Sequence, residues 1–435
     1  MKNSPQIFHG EWWVPALADY NMRMVCLDPK QMMGHEKRYT GTLTYYEDSE
    51  STLELYHVPS HYQANLSGCN EVMWGVDANG HLFSLFQLDM KGKFDGDFTC
   101  TKFVVEFVLI GDYVLSMDAA RFKSCVVQFP YLRNWAFRDN LTCQRVAENY
   151  CHVLSDISNL EPLMDAEVED GIRWLLRDRY VQNRTVFDLS ITQSTEFVIE
   201  APAGCSIRKY LCQVGEFSQF LSIALYGEQN PSEVCFINKE TQQQSILLFK
   251  KDSSVDPKEF TLIKFNELRL KVQTMFKSWH DNFENVSPIS SYLIDSLRKK
   301  KTFDVPDFLI IAQALDGYHK RFVNKKRGRD HRKYEDGIKI LLKQFQDVDS
   351  VKKCHIDPMV LKDSRDKYSH LYPDDEKTTA VEGEDLYWLT EKCKILLTCC
   401  ILNLVGLTNE EINLCCDNSP IQQIIESRPF EFEYN

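Results

Sequence analysis

Residues 357–370 read DPMVLKDSRDKYSH, and the reading of the chain turns on this stretch. Asp357 offers an N-cap, Pro358 fits the first helical position, and Pro373 marks the far side, so the spacing predicts a helix ending near His370. Arg365 can grip a phosphate with a planar fork of donors. His370 can move protons near neutral pH. Five helical steps of about 100° set the two side chains roughly 140° apart. One helix therefore does not easily aim both at one atom, and a second helix, or a second copy of this one, would be needed.

Working outward, the pattern is helical from about Glu267 onward. Leu268, Val272, Met275, Phe276 and Trp279 repeat at helical spacing, which predicts a helix to about Phe283 and a second short one, Ile289 to Leu297, opened by Pro288. Phe308, Ile311, Leu315, Tyr318 and Phe322 form the core stripe of the next helix. Asp316 lies off that stripe, on the face of Ala312 and His319. Lys320, Arg321, Lys325, Lys326, Arg327, Arg329, Arg332 and Lys333 then make the densest basic run of an acidic chain. Such a run is either a solvated loop or a footprint for a phosphate backbone. Ile338, Leu341, Leu342 and Phe345 continue the helical pattern, and Leu386 to Leu407 reads as an apolar helix covering the bundle.

The first 260 or so residues read instead as short strands separated by turns. Residues 39–45 and 52–58 alternate around an acidic turn, as in a hairpin, and further runs follow at 81–88, 98–110, 122–129, 186–191, 196–199, 217–226, 234–237 and 246–249. One helix is expected at 169–179, with Arg173, Arg177 and Arg179 on a solvated face. Trp12, Trp13 and Trp135 read as core aromatics. The histidines of this half are scattered without ligand spacing. The expected class is α+β: an antiparallel β-rich, sandwich-like domain over 1–262 and an all-α bundle over 263–435.

A chain of 435 residues can bury a sizeable core, and a net charge of −13 argues against wholesale coating of nucleic acid. Residues 1–9 do not read as a signal peptide, and the longest apolar run, 395–407, is broken by Thr398 and Asn403, so neither secretion nor membrane insertion is expected. The 15 cysteines are odd in number and contain no C-x-x-C pair. They read as reduced, buried thiols of a cytoplasmic protein. Cys354 and His355 alone do not make a zinc set, and no metal or other cofactor is expected.

Arginine and histidine separated by four residues is a weak signal by itself. As a plain pair, Arg365 would be a surface residue and His370 a cation favouring the helix C-terminus. Combined with the helix FLIIAQALDGYHK (308–320) and the basic loop, however, the stretch LKDSRDKYSH (361–370) resembles the HEPN domain of the ApeA type. FHGEWWVP (8–15), the strand around Gly41–Leu43 and the strand 53–56 resemble the β-rich domain that accompanies it in ApeA anti-phage proteins. The resemblance implies a metal-independent endoribonuclease acting in abortive infection, with an RNA substrate (tRNA is one candidate) and no membrane partner. It implies pairing of two HEPN domains, so that two Arg–His helices line one cleft, and a β-rich domain that reads a phage protein as trigger. By that resemblance His370 and Arg365 are catalytic and Asp316 is a third member, where the family more often has glutamate. Lys320 to Lys333 would guide RNA, and Asp366 and Tyr368 would support the site. Asp366 departs from the asparagine common after the arginine, which puts a negative charge near the phosphate. The alternative is a non-catalytic helical module that binds RNA, nucleotide or protein.

Overall fold

The computed structural model describes residues 4–15, 38–58, 72–94, 100–138, 141–147, 150–155, 161–184, 189–252, 254, 261–298, 305–324, 333–373, 377 and 379–427. Alternation of apolar and polar residues builds its first part. Strands β1 (Gln6–Trp13), β2 (Tyr39–Tyr45), β3 (Ser51–Tyr56), β4 (Val72–Asp77), β5 (Leu82–Phe94) and β6 (Cys100–Ile110) pair antiparallel in the order β6-β3-β2-β1-β4-β5, and β5 pairs back onto β6. The sheet closes into a barrel, which removes its exposed edges. Its interior is filled by buried Trp12, Leu43, Leu53, Leu55, Phe83 and Phe103, among others.

The barrel opens into a wing at β6. The second half of that strand, Phe107 to Ile110, pairs with β14 (Gln244–Phe249). From there the sheet continues through β13 (Glu233–Asn238), β7 (Phe122–Gln128), β12 (Leu189–Cys205), β11 (Ile172–Arg184) and β10 (Met164–Glu169). Helix α1 (Leu132–Trp135) and a separate hairpin, β8 (Leu141–Ala147) with β9 (Tyr150–Ser155), complete this part. The expected class, β-rich and then helical, holds; the β part is a closed barrel carrying outer strands rather than a sandwich.

Two local expectations fail, for identifiable reasons. The helix expected at 169–179 is a hairpin between β10 and β11. Asp170-Gly171 is its turn, with Gly171 at φ +72, and a D-G pair at a left-handed position is a hairpin signal. The strand expected at 217–226 belongs to helix α2 (Ile207–Ala224). Its buried residues Tyr210, Val214, Phe217, Leu221 and Ala224 step by four and three, the helical period. Ser206 caps it, the hydroxyl accepting from the Lys209 N–H at 3.2 Å.

The predicted pair of helices around Pro288 is one helix, α3 (Arg269–Arg298). Proline removes the bond to the Glu284 carbonyl. Both residues are exposed, so water can meet that carbonyl, and Arg321 donates to the next one, Asn285 O, at 2.6 Å. The rest of the helical unit is α4 (Val305–Tyr318), a π-helical turn (His319–Val323), α5 (Tyr334–Gln344), α6 (Asp349–Cys354), α7 (Pro358–His370), α8 (Gly383–Leu404), α9 (Asn409–Cys416) and α10 (Pro420–Ser427). Helix α8 is buried on all sides from Leu389 to Leu402, as its unbroken apolar sequence requires. Its Lys394 is satisfied by Glu391 at 2.7 Å and by Asp307 of α4 at 3.3 Å. No disulfide joins the described cysteines. Among the described residues no helix is long and apolar enough to cross a membrane, and no group of three His, Cys, Asp or Glu could hold a metal ion.

The wing and the helices share one core. Phe276 of α3 packs edge-on against Trp174 of β11 and against Phe217 and Phe220 of α2, with Trp135 beside it. The Trp279 indole donates to Glu216 O at 3.0 Å. His280 lies 2.8 Å from the Glu216 carboxylate and 3.6 Å from Glu169. The hydrogen bond to Glu216, aided by the charges of Glu216, Glu169 and Asp281, holds His280 above its ordinary value although burial opposes it.

Two outcomes test this junction. Phe276→Ala is expected to cost about 3–5 kcal/mol and to lower one cooperative transition, with tryptophan fluorescence and far-UV circular dichroism melting together. Separate transitions would show that the core is not shared. The raised His280 value means that its stabilisation is complete below the unfolded value of about 6.5 and fades as pH rises through the higher folded value. His280→Gln should therefore cost about 1.5–3 kcal/mol at pH 6 and much less at pH 9, measured by urea unfolding at both pH values.

Candidate active site

Helix α7 starts as its sequence dictates. The Asp357 carboxylate accepts from the Met359 N–H at 2.7 Å and the Val360 N–H at 3.4 Å, and Pro358 occupies the first turn. The helix ends where Leu371 turns left-handed, at φ 54 and ψ 43. Val360, Leu361, Ser364 and Lys367 form its buried face.

Four side chains of the motif hold the segment leading into α8. The Ser364 hydroxyl accepts from the Val381 N–H at 3.0 Å, and Tyr368 donates to Val381 O at 3.0 Å. Asp363 accepts from the Thr379 hydroxyl, and Lys367 pairs with Glu382. Burial would raise Asp363, but hydrogen bonds from Thr379 and Lys362 and the charges of Lys362 and Lys377 hold it below the usual carboxylate value. Tyr368 also presents its ring to Phe308 of α4, at 6.3 Å between centroids. These contacts fix the rotation of α7, and thereby the direction in which Arg365 leaves it.

Arg365 leaves toward α5. Its guanidinium carbon lies 4.9 Å from the centroid of the Tyr334 ring, and Nη1 donates to Asp366 at 3.1 Å. A guanidinium stacked on an aromatic face is both held flat and partly desolvated. Tyr334 is itself fixed, its hydroxyl donating to Ala312 O of α4 at 3.2 Å. Burial pushes this phenol well above its ordinary value. Among the charges that act on it, Arg365 lowers it and Asp316 and Asp366 raise it. Tyr334 thus links the Arg365 guanidinium to α4.

Asp316, one turn beyond Ala312 on α4, pairs with Lys320 at 2.7 Å. The chain then enters the π-helical turn, a form that recurs at functional sites. The close approach of α5 to this turn depends on Gly337, because a Cβ there would come within 3.0 Å of His319 Nδ1. His370 stands exposed on the last turn of α7, its ring 5.6 Å from that of Tyr372. Within one chain, Arg365 is drawn inward to Tyr334 and Asp366 while His370 faces solvent. No hydrogen bond joins Asp366 to His370 among the described residues.

Of the basic run, Lys325, Lys326, Arg327, Arg329 and Arg332 lie outside the described residues. Lys320 and Arg321 are engaged, with Asp316 and with Asn285 O respectively. Lys333 is exposed immediately before α5. Tyr334, which follows it, is the site residue that sequence reasoning passed over. It lies 31 positions before Arg365, and no periodic pattern links the two.

A family model described as ApeA N-terminal domain 1 matches residues 7–279, and one described as Apea-like HEPN matches residues 309–411. No curated protein and no solved structure matches the chain. The first model ends inside α3, the helix that carries Phe276 and Trp279 into the β-domain core. With that match covering well over half of the chain and the HEPN match covering the helices around Arg365, the chain belongs to the ApeA family, HEPN effectors of anti-phage defence.

Proposed function

We propose that this protein is a metal-independent endoribonuclease of abortive infection, cutting RNA in a composite site formed by two HEPN domains. The observation that carries this reading is the seating of Arg365 on Tyr334, with Asp366 and Asp316 close by, on the same helix as a solvent-facing His370. In this reading a ribose 2′-hydroxyl attacks the adjacent phosphorus. The new O–P bond forms as the P–O5′ bond breaks. His370 takes the 2′-hydroxyl proton or delivers one to the leaving O5′. Arg365 neutralises charge that develops on the phosphorane. The products would carry a 2′,3′-cyclic phosphate and a 5′-hydroxyl.

The angular separation of Arg365 and His370 is what calls for a second copy. Exposed apolar side chains stand at both ends of the motif helix, Met359 at 42% in its first turn and Leu371 at 86% and Tyr372 at 39% past its end, and they suit a like partner. In a homodimer the partner's helix would bring its histidine toward the arginine of this one. Lys320, Arg321 and Lys333, together with the rest of the basic run, would steer RNA, tRNA among the candidates. The β-rich domain would carry the trigger surface, for which a phage protein is the expected ligand.

A second reading, a non-catalytic RNA-binding module, draws on the Asp366 carboxylate that already occupies Arg365. The two readings part at His370→Ala. If the protein is a nuclease, this variant should lose about 10²–10⁴-fold in cleavage rate and keep its melting temperature, and the parent should cut equally well in EDTA. A binder that never cuts, or a His370→Ala variant that cuts like the parent, would overturn the nuclease reading. Tyr334 gives a finer test. Tyr334→Phe keeps the ring under the guanidinium and should retain most activity, whereas Tyr334→Ala should cost about 10–100-fold, mainly in kcat, because Arg365 is no longer held flat.

A further inference from the structure

The hairpin that replaces the expected helix at 169–179 changes what its arginines can do. On a helix, Arg177 and Arg179 would point in different directions. On β11 they are two positions apart and share a face. That face is the outer side of the wing, opposite the side that carries Trp174, Leu176 and Phe197 against α2 and α3. There they line an open groove of about 300 Å³ crossing the wing from β11 to β14.

One buried carboxylate builds the pair. Glu196 of β12 stands directly opposite Arg177 in the ladder, and its side chain is only 6% exposed. It accepts from Arg177 Nε at 3.3 Å through one oxygen and from Arg179 Nη1 at 3.1 Å through the other. A glutamate this buried on a sheet face holds its position only if it is paired, and both arginines are fixed through it. Neither guanidinium has another protein partner among the described residues, so most of their N–H donors remain unspent while the side chains stay 48% and 40% exposed. Arg173, four positions before Arg177 on the same face, contrasts with them, since Asp165 and Glu200 take up its charge.

Two forks converging on one volume distinguish among anions. The Glu196 carboxylate takes one donor from each fork and leaves the others facing the groove. A phosphate monoester offers three terminal oxygens and close to two charges, and can accept from both. The floor carries apolar Val126 and Ile237, with Cys235 directly beside Val126. The far wall carries Glu233 and Gln244. Glu233 sits three strands from Arg177, about 14 Å away at the usual strand spacing. Its carboxylate accepts from the Cys235 thiol at 3.3 Å and can also accept from hydroxyl or amino groups at the other end of a ligand. The volume is at the small end of ligand sites, on the scale of one nucleotide.

We propose that the outer face of the wing, at Arg177, Arg179 and Glu196, is a binding site for a nucleoside monophosphate, separate from the HEPN helices. The phosphate sits on the two arginines, the base lies on Val126 and Ile237, and Glu233 and Gln244 meet the polar edge of the nucleoside. The site gives the β-rich half of the molecule a small-molecule input of its own and does not depend on the ribonuclease reading.

Calorimetric titration of the full chain at low ionic strength, with AMP, GMP, CMP and UMP in turn and with inorganic phosphate and citrate as controls, tests this. At least one nucleotide is expected to bind at least tenfold more tightly than inorganic phosphate or citrate. The Arg177→Gln, Arg179→Gln double variant should lose that binding by tenfold or more. Ile237→Trp, which fills the floor, should lose it with both arginines intact. His370→Ala should bind as the parent does, and thermal unfolding should show all variants folded. Absence of nucleotide binding at millimolar concentration, equal binding of inorganic phosphate or citrate, or undiminished binding in the double variant would overturn the assignment.

Discussion

Phe276 is the residue on which the two halves of the molecule depend. It belongs to the long helix α3, yet its ring is enclosed by Trp174, Phe217, Phe220 and Trp135 of the β-rich part. Burying one aromatic ring in that cage, with the Trp279 indole tied to Glu216 O, makes the outer wing and the helical bundle a single packed body. The opposite side of α3 then receives α4, α4 receives α7, and the orientation of the Arg–His helix follows from an aromatic cluster on the far side of the bundle.

The site inherits this order in steps. Helix α4 places the Ala312 carbonyl, which anchors Tyr334. Tyr334 carries Arg365 on its ring. The segment 379–382 fixes the rotation of α7 through Asp363, Ser364, Lys367 and Tyr368. Most of the polar residues in the motif therefore serve to aim the helix, while Arg365 reaches across to the Tyr334 ring. Asp366 is the counterweight. It shares Arg365 at 3.1 Å and sets how much of the guanidinium charge a phosphate would meet.

What could be read along the chain was whatever is local. The N-cap and proline of α7, the apolar stripe of α4 and the unbroken apolar run of α8 are patterns of period 3.6 with clear ends, and the structure keeps them. Charged residues interleaved with Trp174, Leu175 and Leu176 make 169–179 resemble a solvated helix, whereas the decisive signal is the Asp170-Gly171 turn. From Phe217 a run rich in phenylalanine and leucine suits a strand as well as a buried helix, and only the spacing from Tyr210 onward separates them. Pro288 reads as a break because its missing N–H is a local fact, while the packing that carries α3 through it is not.

The sequence by itself determined the class of the molecule, the ends of the motif helix and the presence of Arg365, His370 and Asp316 on helices of one bundle, because caps, periodicity and composition act over a few residues. Only the tertiary structure decided that Tyr334 lies under Arg365, that Asp366 turns to the arginine, and that Arg177 and Arg179 share the carboxylate of Glu196. The first and the last of these join residues on different elements, up to 31 positions apart, and the second depends on where Tyr334 holds the arginine. They are set by how helices and strands pack, and no local preference of the chain encodes them.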